Sequence, residues 1–147
     1  MIYVPHCEGD LAGYYAGSWR FTRHTKDNKS DIDATVEGVA LFSGTGQALD
    51  YSETGTMTCG DYEGTVSQNY IYNFTGPFEA SVLFSDQRLF HHLDLKSGQD
   101  KVTHWCAPDQ YDGRYQLHNQ DKWALIWKIS GPRKDSIIST TYHRLIS

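Results

Sequence analysis

Three cysteines in 147 residues are too few, and too irregularly spaced, to staple a fold together. Cys7, Cys59 and Cys106 form no C-x-x-C pair, which argues against a thiolate zinc site. An odd, unpatterned set reads as reduced thiols and a cytoplasmic location. No apolar run approaches the roughly 20 residues that a membrane helix needs. Met1 to Cys7 lack the basic-then-apolar pattern of a signal peptide. Basic residues are in the minority, 13 Lys and Arg against 18 Asp and Glu, for a net charge of −5. Nucleic-acid binders show a basic face, and no Lys/Arg cluster occurs here. Neither nucleic acid nor a membrane is therefore expected as a partner. A phosphate-binding loop is missing too. Gly131-Pro132-Arg133-Lys134-Asp135 offers one Gly and one Pro ahead of a strand, which reads as a turn. From that turn Lys134 is expected to hang over one end of the fold, within reach of an anionic ligand.

What the chain has is aromatic weight: ten Tyr, six Phe and four Trp. These residues favour strands and rule out disorder. The length suits one domain spanning residues 1–147, large enough for a full core. Asp10 to Ala16 is the single plausible helical turn. Strands then follow at intervals of about ten residues, the rhythm of an all-β barrel or sandwich. They are read at 17–24, 35–42, 49–58, 65–74, 78–84, 88–95, 101–106, 113–118, 123–130 and 136–145. Short consecutive connections make an up-and-down antiparallel meander the simplest topology. Eight to ten strands must close, because open edges aggregate. Such a barrel is just wide enough to hold one small ligand. The alternative is a β-sandwich, which needs longer crossovers than this chain has.

Alternation assigns the faces. Trp123, Leu125, Trp127 and Ile129 share one face of the ninth strand, and Tyr70, Tyr72 and Phe74 one face of the fourth. On the third, Glu53 aligns with Leu49, Tyr51 and Met57. A carboxylate on an apolar inward face is costly unless paired. Arg23 has the parity of Trp19 and Phe21 and is its expected partner. Glu53 is accordingly either half of a register-fixing ion pair or a general acid/base. His104 and Cys106 share a face, and His91 or His92 lies on the neighbouring sixth strand. A hydrogen-bonded His and a small buried thiol explain that set better than a metal, for which no local spacing completes the ligands. Asp109 and Tyr111 follow Pro108 and are expected at a turn by the mouth. Of His91 and His92 one must face inward, and the flanking residues do not say which.

Gly17-Ser18-Trp19 near the start and Arg144 near the end resemble the lipocalin-like (calycin) barrels. In those barrels the G-x-W Trp of the first strand lies under an Arg from the last. The resemblance implies that Trp19 and Arg144 form a cation–π contact closing one end. Further segments are Gly38 to Phe42, Tyr51 to Gly55, Phe90 to Asp94, His104 to Tyr111 and Gly131 to Asp135. With Gly17 to Arg20 they make nearly the whole chain similar to an uncharacterised family of small bacterial and fungal proteins, a domain of unknown function. That resemblance implies the same barrel and carries no established activity. The haem-binding nitrobindins, another family of such barrels, place a haem-ligating His on a late strand. Here His143 adjoins inward Arg144 and should face outward, which argues against haem, so no cofactor is expected.

Three readings follow. The first is a protein that binds a small, mostly apolar molecule with a polar or anionic end. Tyr70, Tyr72, Phe74, Trp123, Trp127 and Tyr142 would supply burial, and Arg23, Glu53, His104 and Tyr111 orientation. The second is a cofactor-independent isomerase, cyclase or decarboxylase. There Glu53 or His104 would move a proton while Tyr111 or Tyr115 donates to an oxyanion. The third is an interaction module, with outward Ile126 and Ile137 supporting a homodimer.

Overall fold

The computed structural model describes residues 10–146. A five-residue helix, α1 (Leu11–Tyr15), precedes ten strands. These are β1 (Gly17–Asp27), β2 (Ile32–Ser43), β3 (Ala48–Cys59), β4 (Tyr62–Phe74), β5 (Glu79–Phe84), β6 (Leu89–Asp94), β7 (Gln99–Cys106), β8 (Asp109–Asn119), β9 (Lys122–Ser130) and β10 (Asp135–Arg144). All ten belong to one antiparallel sheet in the order β6-β5-β4-β3-β2-β1-β10-β9-β8-β7. Every strand pairs with its chain neighbours except at β6 and β7. The first and last strands complete the wall between them. The result is a nearly closed, lipocalin-like up-and-down barrel. A single sheet overturns the β-sandwich alternative: the connections are too short to carry strands between two layers. At the seam the amide of Asp94 on β6 donates to the Asp100 carboxylate of β7 at 2.8 Å.

Three departures from simple alternation have local causes. β8 begins at Asp109, four residues before the pattern shows it, because Ala107-Pro108 makes a two-residue turn. His104 then faces Tyr111 directly, so Tyr111 stands on a strand and not at a turn. β1 and β2 run further than expected because Asp27 anchors their hairpin. Its carboxylate accepts from the amides of Lys29 and Ser30 and from the Ser136 hydroxyl. The Ser136 bond, with the backbone donors, holds the Asp27 carboxyl down at about 2. Finally, β6 carries a bulge. His91 faces Val82 and Leu89 faces Leu83, so Phe90 is the extra residue. Phe90 and His91 are therefore both buried, and His92 is exposed.

The helix plugs one end. Asp10 caps it by accepting from the Gly13 amide at 2.8 Å. Leu11, Tyr14 and Tyr15 pack into the barrel. Trp19, fully buried, donates its indole N–H to the Tyr15 carbonyl at 2.8 Å. Arg144 pairs with Trp19 across β1 and β10 and stacks 4.2 Å from its ring centroid. Its Nη2 also donates to the carbonyls of Tyr14 at 2.8 Å and Gln120 at 2.7 Å. The contact expected of this Trp and Arg is thus present, and it ties plug, first strand and last strand together. His143 faces outward, as its parity requires.

Behind the plug lies an aromatic stack. The Trp123 ring is parallel to Tyr142 at 3.9 Å and to Tyr115 at 6.1 Å. Each such pair adds about 0.5–1.5 kcal/mol beyond its buried area. Two glycines permit the wall's shape. Gly38 and Gly55 face each other on β2 and β3, and a Cβ on Gly38 would collide with the Thr54 carbonyl. Replacing Arg144 by Met should lower stability by about 1–3 kcal/mol, since it removes the cation–π contact to Trp19 and the hydrogen bond to the Tyr14 carbonyl. Urea denaturation measures this; a loss below about 0.5 kcal/mol would mean that the closure contributes little.

Candidate functional site

At the plugged end the interior is filled. Toward the other end, where the loops after β1, β3, β5, β7 and β9 lie, it opens into a cavity of about 160 Å³. Of the candidates from sequence, Arg23, Glu53, Tyr70, Tyr72, Tyr111, Trp127 and Tyr142 all line it. His104 does not. It sits toward the rim, packed on Phe90 at 5.1 Å and Phe84 at 5.6 Å. Phe90 lies nearly parallel to Trp127, 5.1 Å away. Gly113 makes this possible, because a Cβ there would meet the Trp127 ring at 2.6 Å.

Arg23 and Glu53 form a forked ion pair on the cavity wall. Nη1 donates to Oε2 at 2.6 Å and Nη2 to Oε1 at 2.9 Å. The Arg23 side chain keeps 15% of its surface exposed and Glu53 only 3%. Around them Tyr51 donates to Glu53 Oε1 at 2.5 Å, the Tyr51 and Tyr142 hydroxyls lie 2.8 Å apart, and Arg23 Nε donates to Thr140 at 2.8 Å. Burial alone would lower the Arg23 pKa, but the hydrogen bonds and charge of Glu53 outweigh it and hold the guanidinium above its ordinary range. Both Glu53 oxygens are engaged.

A second polar group occupies the β6–β8 side. His91 contacts the His92 carbonyl through Nδ1 at 3.0 Å and the Tyr115 hydroxyl through Nε2 at 3.1 Å. The Tyr115 and Tyr72 hydroxyls are 3.3 Å apart. Burial pushes the phenols of Tyr51, Tyr72 and Tyr115 well above 10, and that of Tyr142 up to about 12. All stay neutral at physiological pH. Burial likewise lowers His91 to about 4.

Among the described residues the His104–Cys106 pair gathers no third ligand. Among the described residues no group of three His, Cys, Asp or Glu is placed to hold a metal. His91 spends both ring nitrogens on other partners, His92 turns out to Ser81 at 3.1 Å, and Cys106 is exposed. Cys7 lies outside the described residues. Lys134 does not overhang the cavity but pairs with Asp109 at 3.6 Å. Sequence reasoning missed Thr140 and the role of Tyr51 in holding Glu53. Parity offered a signal for both, since they share faces with Tyr142 and Glu53.

Fold and cavity together define a calycin-like β-barrel with a ligand-sized interior. The chain belongs to a family of unknown function, DUF6314, whose model matches residues 15–144. No curated protein matches it. Among solved structures it resembles the S-type phycobiliprotein lyase CPES from Guillardia theta, at 10% identity over 93% of this chain and 92% of that one, TM-score 0.70. A protein of unknown function from Nostoc punctiforme, of the DUF3598 family, matches with TM-score 0.60 at 10% identity, over 93% of this chain and 50% of that one. The redesigned barrel mFAP1, solved bound to DFHBI, matches with TM-score 0.51 at 14% identity, over 92% of this chain and all of that one (100%).

Two outcomes follow from the geometry. Glu53→Gln leaves a buried guanidinium without its counter-charge and should cost about 3–5 kcal/mol in urea denaturation. The double change Arg23→Met with Glu53→Leu should cost less than that single one, and an equal or larger loss would contradict the pairing argument. His91 supplies the second. The unfolded chain takes up this proton near pH 6.5 and the folded protein resists until about 4. Stability from the neutral imidazole is thus present above pH 6.5 and lost as pH falls toward 4, by roughly 3 kcal/mol. His91→Gln should flatten stability across that window, and an unchanged slope would exclude His91 as its source.

Proposed function

We propose that the protein binds a small, uncharged, largely flat molecule of one or two rings inside the barrel, with its polar end toward Arg23. The observation that carries this reading is the charge balance of the cavity. Among the described residues, Arg23 and Glu53 are the two ionised side chains on its wall, and they neutralise each other. A carboxylate or phosphate entering it would meet Glu53 as well as Arg23, and would lose its hydration without gaining an unpaired cation. A neutral acceptor meets no such penalty. The rest of the wall is mostly tyrosine, tryptophan, phenylalanine and aliphatic side chains, suited to ring faces, with Thr25, Gln68 and Thr140 as its other polar members. At about 160 Å³ the cavity resembles in size those that take benzene, and its open end lets a second ring protrude. Burying about 200 Å² of apolar ligand surface is worth roughly 5 kcal/mol before association costs.

The barrel of mFAP1, bound to the small molecule DFHBI, lends support from a shared fold. Acid/base catalysis by Glu53 or His104 is the less supported alternative, because Glu53 is held by Arg23 and Tyr51 and His104 is not among the residues that line the cavity.

The test compares 2-naphthamide with 2-naphthoate, equal in shape and different in charge, by calorimetric titration at pH 7. The amide should bind at least tenfold tighter. Ile138→Trp, which crowds the cavity from its wall, should abolish binding while leaving the far-ultraviolet circular dichroism intact. Tighter binding of the carboxylate, or binding indifferent to Ile138→Trp, would sink the proposal.

A further inference from the structure

We infer that the cavity selects its ligand by hydrogen-bond direction: an acceptor toward Arg23 and an N–H or O–H donor toward the Tyr72–Tyr115 hydroxyl pair. This rests on the reading of the cavity as a ligand site. It fixes the chemical class further, to neutral ring systems with a carbonyl at one end and a ring N–H or hydroxyl at the other.

The argument starts at His91, which lies behind the cavity wall. The carbonyl oxygen of His92 can only accept, so His91 Nδ1 carries a proton. His91 is 3% exposed and, among the described residues, no carboxylate is a hydrogen-bond partner, so the ring is neutral and Nε2 presents a lone pair. Tyr115 must then donate to Nε2 at 3.1 Å. With the Tyr115 proton committed, the 3.3 Å contact between the two hydroxyls requires Tyr72 to donate to Tyr115. Both protons run away from the ligand toward His91. Tyr72 and Tyr115 both line the cavity, and what they have left to offer it is lone pairs.

The opposite polar group has the reverse sense. Tyr51 gives its proton to Glu53, so Tyr142 must donate to Tyr51. The Tyr142 oxygen accepts in turn from Arg23 Nη2 at 3.5 Å. Arg23 has five N–H groups. One goes to Thr140, two to Glu53 and one to Tyr142. The fifth, on Nη1, has no partner among the described residues and is the donor available to a ligand. The Tyr70, Tyr111 and Thr25 hydroxyls and the Gln68 amide also line the cavity, can present either sense, and do not discriminate.

A matched pair of probes tests this. In 4-quinolone a ring N–H lies opposite the carbonyl, and in chromone a ring oxygen takes its place with almost no change of shape. The quinolone is the more strongly hydrated, so apolar burial alone favours chromone. In titration the wild-type protein should bind 4-quinolone at least tenfold tighter than chromone. Tyr115→Phe should collapse that preference, because it frees the Tyr72 proton. His91→Phe should do the same from outside the cavity, because it frees the proton of Tyr115. Each variant is checked for folding by circular dichroism, and one folded variant suffices. Equal binding of both probes, blocked by Ile138→Trp, would overturn the directional inference and leave the ligand site standing. A preference that survives in a folded variant would also overturn it. If neither probe binds the wild-type protein, the ligand-site reading fails and takes this inference with it.

Discussion

The antiparallel pairing of β1 with β10 is the constraint on which the rest of this molecule depends. It runs in unbroken register from Trp19 opposite Arg144 to Asp27 opposite Ser136. One end of the ladder brings Arg144 onto Trp19 and so locks the helical plug, whose Tyr14 carbonyl Arg144 also holds. The other end brings Ser136 to Asp27, which shapes the hairpin into β2. Midway, Arg23 faces Thr140 and receives its Nε contact there. A slip of one residue would turn Arg23, Phe21 and Trp19 outward together and empty the interior. Closure and site are consequences of one register.

Within that frame the Arg23–Glu53 pair works less as a stabiliser than as an organiser. A buried ion pair is no better than apolar residues of the same volume in stability terms. Here it aligns Tyr51 and Tyr142 and, among the described residues, balances the charge of the cavity wall. The His91–Tyr115–Tyr72 chain does the same on the other side with neutral groups. Such fully connected polar chains inside an aromatic lining restrict which ligands can enter without leaving a polar atom unpaired. The seam between β6 and β7 and the bulge at Phe90 bring His91 into this arrangement.

Much of this is legible in the residues. Strand alternation places Trp19, Arg23, Glu53, Tyr72, Trp127 and Tyr142 inward, because each sits in an unbroken period-two run. The Arg23–Glu53 pairing follows from parity and the cost of an unpaired inward carboxylate. The failures lie where alternation is broken by geometry that leaves no mark on composition. A two-residue turn at Ala107-Pro108 sends Asp109 and Gln110 straight into β8, although neither residue favours strands. A bulge at Phe90 turns consecutive residues inward, so no parity argument on that segment could have chosen between His91 and His92. The open seam at β6–β7 and the direction of each hydroxyl proton depend on contacts between distant strands.

The most direct test of the account is a crystal structure of the protein equilibrated with bromobenzene, read by the anomalous signal of bromine. The account predicts one strong peak inside the barrel, among Arg23, Tyr72, Tyr115 and Trp127, with the Arg23–Glu53 fork undisturbed. Bromine found only on the outer face, with the interior closed by its own aromatic rings, would contradict it.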